Sequence, residues 1–146
     1  MTSSTSNEAE RAAQAVFVLF ASVYDSMTKI RKILSDNPAV TTITQDCEVC
    51  RFSGDEWVLP DGFFFEVYVD TTDPKTGNGF CWSFDLSLRS GEWTLKREIQ
   101  TPGRYTAETI SNFATVIYAS FAELQDGYAP LMAGFVRSAE GFTFPP

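Results

Sequence analysis

Cys47-Glu48-Val49-Cys50 has the spelling of a redox or metal-binding pair. Redox thiols at this spacing work because a helix N-terminus lowers one thiol pKa and brings both sulfurs together. Here the motif falls in a predicted strand, where Cα atoms three residues apart stand about 10 Å from each other and the side chains face opposite ways. A disulfide needs Cα atoms within about 7 Å. A structural zinc takes four ligands, and the chain holds 3 cysteines and no histidine. The missing histidine also removes Ser-His-Asp and Cys-His nucleophile systems and a histidine pH switch. Asp70, Asp73 and Asn78 lack the ligand alternation of a calcium loop, since Thr72 and Pro74 take the positions between. Gly77-Asn78-Gly79 lacks the third glycine and the following helix of a dinucleotide fingerprint, and there is no P-loop. No metal and no cofactor is expected.

Carboxylates alone suffice for acid–base chemistry. Glu66 and Asp70 share one face of a predicted strand, and Asp85 and Glu98 fall on the same face of later ones. Spacing along a strand does not bring carboxylates into a pocket, and polar residues that alternate on a strand form its solvated face. That face is nevertheless the best functional surface in the sequence. Phe64 and Tyr68 stand on it among Asp46, Glu48, Glu66, Asp70, Asp85 and Glu98. Exposed rings bounded by acids suit a basic protein partner, with charge steering the encounter and the rings supplying hot spots. The competing arrangement has Phe142 and Phe144 fold back over the rings and leave no open patch. On the other face, Phe63, Phe65, Phe80, Trp82, Phe84 and Trp93 are core at period two. They also offer the alternative of a small-molecule site or a carboxylate enzyme, with Trp82 and Trp93 as walls. Arg97, a charge on the apolar side, would then hold an anionic head group.

These residues need a sheet and helices to position them. Phe80, Trp82, Phe84, Leu86 and Leu88 alternate with Cys81, Ser83, Asp85, Ser87 and Arg89, a regular strand signal. Phe63–Asp70 and Trp93–Ile99 alternate likewise, and earlier strands are expected over Val40–Phe52 and Glu56–Leu59. Arg51–Leu59 echoes Leu88–Leu95, each with Ser-Gly at a reversal and Trp just after, which suggests two similar hairpins. Ahead of the sheet, Ala9, Ala13, Val16, Phe20, Val23, Met27, Ile30 and Leu34 follow a four-three spacing. Thr5 and Glu8 form a capping box, and Asn37-Pro38 stops the helix. A helix over Glu8–Ser35 is about 42 Å long, enough for an overhang that forms a homodimer through this first helix. After the sheet, Ile110, Phe113, Ala114, Ile117, Phe121 and Leu124 suggest a helix from Thr106, broken at Gly127, with Pro130 opening a short third one.

The expectation is therefore an α+β fold: a long N-terminal helix, a four- or five-stranded antiparallel meander, and one or two C-terminal helices on one sheet face. Residues 1–7 read as a flexible arm and residues 8–146 as a single domain. With 19 acidic and 11 basic residues, the net charge of −8 argues against a nucleic-acid partner. No stretch reaches the roughly 20 apolar residues of a membrane span, and no signal sequence is visible. The reading is a cytoplasmic, non-catalytic protein-binding protein. In outline, the order of elements and the acidic charge resemble those of bacterial toxin-immunity proteins and secretion chaperones, a likeness of architecture.

Overall fold

In a computed structural model that describes residues 4–53, 62–102 and 107–144, the chain is an α+β fold. The four-three apolar spacing becomes α1, Ser4–Ser35, a helix of 32 residues that begins ahead of the expected Glu8. Leu19, Val23, Met27, Ile30 and Leu34 are its buried stripe. The strands are β1 (Thr44–Ser53), β2 (Gly62–Asp70), β3 (Cys81–Arg89), β4 (Glu92–Pro102), β5 (Ala107–Asn112) and β6 (Val116–Tyr118). A second helix, α2 (Phe121–Glu140), follows. The sheet is wholly antiparallel in the order β1-β2-β3-β4-β5, with β6 also on β4. The expected strand over Glu56–Leu59, and with it the first of the two echoing turns, lies outside the described residues.

Both helices cover the face to which the alternation assigns the apolar residues. Phe65, Val67 and Val69 of β2, Trp82, Phe84 and Leu86 of β3, and Trp93, Leu95 and Ile99 of β4 are buried beneath them. Each such side chain contributes about 1.5–3 kcal/mol by leaving water. Phe20 of α1 stacks on Phe65, with ring centroids 3.9 Å apart. Phe135 of α2 meets Phe113 edge-on at 5.4 Å. Trp82 donates its indole N–H to Ser138 Oγ at 3.3 Å, and Tyr128 donates to Ser22 Oγ at 2.9 Å, tying the helices together. The β3–β4 reversal uses Ser90 and Gly91, with φ of 53° and 79°. That is the left-handed pair a two-residue hairpin turn requires.

The segment after the main meander differs from the sequence expectation. From Thr106 to Tyr118 the apolar spacing suits a helix, yet residues 107–112 and 116–118 are strands. Thr109, Ile110, Thr115, Val116 and Ile117 are β-branched, which lowers helix propensity and suits a pleated surface. The long β4 also offers an edge that its neighbour β3 leaves unpaired. β5 takes its second half and β6 its first, separated at Phe113. The true helix start is a capping box. Ser120 Oγ accepts from the Glu123 backbone N–H at 3.2 Å, and Glu123 Oε2 accepts from the Ala119 N–H at 3.0 Å.

α2 then runs unbroken through Gly127 and Pro130. The missing proline N–H removes the helical partner of the carbonyl four residues back, at the exposed Asp126. Gly127 is there for contact. A Cβ at this position would stand 2.8 Å from the Tyr118 ring, so glycine lets β6 lie close against the helix.

Candidate functional site: the acidic outer face of the sheet

Strand register fixes the outer face as a grid. One row runs Glu48, Glu66, Asp85, Lys96, each directly opposite the next across β1 to β4. The next row runs Asp46, Tyr68, Ser83, Glu98, and a third places Phe64 opposite Ser87 and Thr94. Asp70 stands opposite Thr44 and Cys81. Phe64, Glu66, Tyr68, Asp70, Asp85 and Glu98 therefore share the face turned away from the helices. Phe64 and Tyr68 are half-buried, not covered by the tail. Phe142 packs edge-on against Phe80 at 5.0 Å and Trp82 at 4.8 Å, and Phe144 meets Phe80 at 5.3 Å, all on the helix side. A shallow hollow of about 550 Å³ beside Phe64 and the β3–β4 turn opens onto the outer face.

The electrostatics follow from burial and from the Glu66 carboxylate directly opposite Asp85. Burial, with Glu66 beside it, pushes the Asp85 carboxyl up from 3.8 to about 7 against the pull of Lys96. Asp85 Oδ1 is buried without a hydrogen-bond partner. Lys96 offers it limited relief, because its ammonium bonds Glu98 at 2.5 Å. Burial, then Asp70, Glu66 and Asp85, raises the Cys81 thiol to about 12. Tyr68 is raised by burial and by Asp46, Cys81, Glu66 and Asp70. The face holds a negative potential that a cation would relieve.

Glu98 behaves differently from its neighbours. Burial opposes its charge, yet bonds from Lys96, Gln100 and Thr109 hold its carboxyl below the usual range. Gln100 Nε2 reaches it at 2.9 Å and Thr109 Oγ1 at 3.0 Å. Its oxygens serve to tie β5 to β4. Asp70 and Asp73, likewise, are occupied by their own loop, accepting from the Thr72 and Lys75 backbone N–H groups at 2.8 Å each. Among the described residues no cluster of acidic or thiol side chains is arranged to hold a metal ion. The register runs without a shift from Thr44 to Arg51, so positions 47 and 50 lie on opposite faces of β1. Cys47 is an exposed thiol.

Trp82, Trp93 and Arg97, the residues of the alternative ligand site, lie on the helix side. Trp82 is fully buried, and Trp93 packs on Phe121 at 5.2 Å. Arg97 is 7% exposed. It donates to the Leu131 carbonyl at 3.1 Å and the Ala114 carbonyl at 3.4 Å, and sits 5.1 Å from the Phe113 ring centre. Burial lowers its pKa. It acts as a clamp between α2 and the β5–β6 connection, a role the strand pattern could not show because both carbonyls belong to later elements.

The class this geometry defines is an α+β domain with helices on one sheet face and an acidic, ring-bearing surface on the other. No family model, curated protein or solved structure matches the chain. No helix among the described residues is long and apolar enough to cross a membrane.

Proposed function

We propose that the chain is a non-catalytic, cytoplasmic binding protein whose acidic outer sheet face engages a basic protein, in the manner of an immunity protein or a secretion chaperone. The observation that carries this reading is Glu66 directly opposite Asp85, with Phe64 and Tyr68 on the same face. Like charges facing across strands destabilise a sheet, and burial together with Glu66 raises the Asp85 carboxyl to about 7, so ionising both costs the isolated fold stability that a cationic partner would return. The rings add apolar contact that salt does not screen. The test is the double variant Glu66→Lys/Asp70→Lys against the partner recovered by affinity capture. Weakened binding with a flatter salt dependence is expected; unchanged affinity would sink the acidic-face reading.

A further inference from the structure

β1 is an edge strand. It pairs with β2 through nine of its ten residues and, among the described residues, with nothing on its other side. Proteins blunt such edges with short strands, lysine, proline, bulges or a covering element. Between Thr44 and Cys50 there is neither lysine nor proline, and the register shift comes only between Arg51 and Ser53. The Cys47 backbone N–H is bonded to the Asp46 carboxylate at 2.8 Å, so it is turned to the open side. In an antiparallel strand alternate residues face each edge, which puts the Val49 backbone groups on that side too.

The flank of this edge is apolar. Val49 is 56% exposed on the helix side of the sheet. Gln45 donates to the Tyr24 carbonyl at 3.2 Å and to Thr28 Oγ1 at 3.0 Å, which fixes α1 beside β1. Phe17, two turns before Tyr24 on the same side of α1, is 74% exposed. Seven helix residues cover about 10 Å and four strand residues about 13 Å, so Phe17 is level with Val49. On the outer face β1 itself carries Asp46 and Glu48, and Glu66 stands one strand further in on β2. An added strand would thus meet carboxylates with one set of alternate side chains and Val49 and Phe17 with the other. A second copy of β1 would bring its own Asp46 and Glu48, in a chain of net charge −8.

We infer that the open edge of β1 takes an extended segment of a partner in which basic and apolar residues alternate, extending the sheet by a strand. This rests on the acidic-face reading for the sign of the partner's charge; the edge and its apolar flank are independent of it. On docking, an incoming carbonyl takes over the Cys47 N–H and a lysine takes the Asp46 carboxylate it releases.

The probe is a capped peptide of alternating Lys and Val, compared with an isomer that groups its lysines ahead of its valines. A third peptide is the alternating one N-methylated along one edge. Binding is followed by fluorescence anisotropy and by amide exchange of the protein. The alternating peptide should bind and slow exchange at Cys47 and Val49. N-methylation on the pairing edge, Val49→Lys and Phe17→Ser should each weaken it by about tenfold. No binding of the alternating peptide, or equal binding of all three peptides, overturns strand addition; equal binding sensitive to Glu66→Lys leaves the acidic face standing. Protection of Cys47 and Val49 without peptide, in a concentration-dependent dimer, gives the edge to a second copy and also overturns the proposal. Protection by the alternating peptide that survives Glu66→Lys/Asp70→Lys removes the acidic-face reading and retains the edge.

Discussion

Asp85→Asn should stabilise the protein, and only above mildly acidic pH. The wild-type carboxyl ionises at 3.8 in an ordinary setting and holds its proton to about 7 in the fold. Between those two values the unfolded chain has lost a proton that the folded chain retains, so stability falls as pH rises. Below the lower value both states are protonated and no difference remains. Each pH unit in the window costs about 1.4 kcal/mol, which sums to about 4 kcal/mol; solvent screening on a partly exposed sheet face leaves about 2 kcal/mol. Asparagine cannot ionise and fills the same volume, so it carries no such slope. Urea unfolding followed by tryptophan fluorescence, in wild type and variant at about pH 4, 6 and 8, reads the difference directly. The variant should match wild type at the lowest pH and exceed it by about 2 kcal/mol at the highest. A difference that is constant with pH, or a variant less stable than wild type at the highest pH, would refute the reasoning. It would mean that burial and the facing Glu66 do not keep the Asp85 carboxyl protonated.

Two further outcomes follow from particular contacts. Gly127→Ala should destabilise the fold by about 1–3 kcal/mol, because its Cβ must displace the Tyr118 ring that packs on α2; thermal unfolding beside Gly134→Ala, whose Cβ would meet only Arg137 Nη2 at 3.7 Å, isolates the clash from a general helix effect. Under mild alkylation at about pH 8 Cys47 should label rapidly and Cys81 far more slowly, since the first is exposed and the second is partly buried with its thiol pushed up to about 12. Peptide mapping by mass spectrometry checks the order, and equal rates would contradict the burial of Cys81 and the acids around it.

Much of this molecule was legible before any tertiary structure. Period-two alternation in Phe80–Leu88 and Phe63–Asp70 fixed both the strands and their buried faces, because a pleat offers only two sides. The same parity placed Glu66, Asp70 and Asp85 on one outer surface and positions 47 and 50 of the CxxC on opposite faces of β1. A local signal held at the Ser90-Gly91 turn, whereas the Thr5–Glu8 capping box did not, because α1 already starts at Ser4. The Ser120-Glu123 capping box was just as local, but it was hidden by a longer run of helix-like spacing.

What lay beyond the sequence depends on partners far along the chain. Ile110 and Ile117 fit a helical stripe as well as a strand, and the unpaired edge of β4 decided between them. Gly127 reads as a breaker until Tyr118 is seen against it. Arg97 looked like a ligand anchor until the carbonyls of Ala114 and Leu131 met it. Glu98 and Asp85 are both acids on the same face. The first is held ionised by three donors and the second is left with a buried, unpartnered oxygen. Residue type sets what a side chain is able to do, but its charge state and exposure are properties of the neighbours that only folding brings within reach.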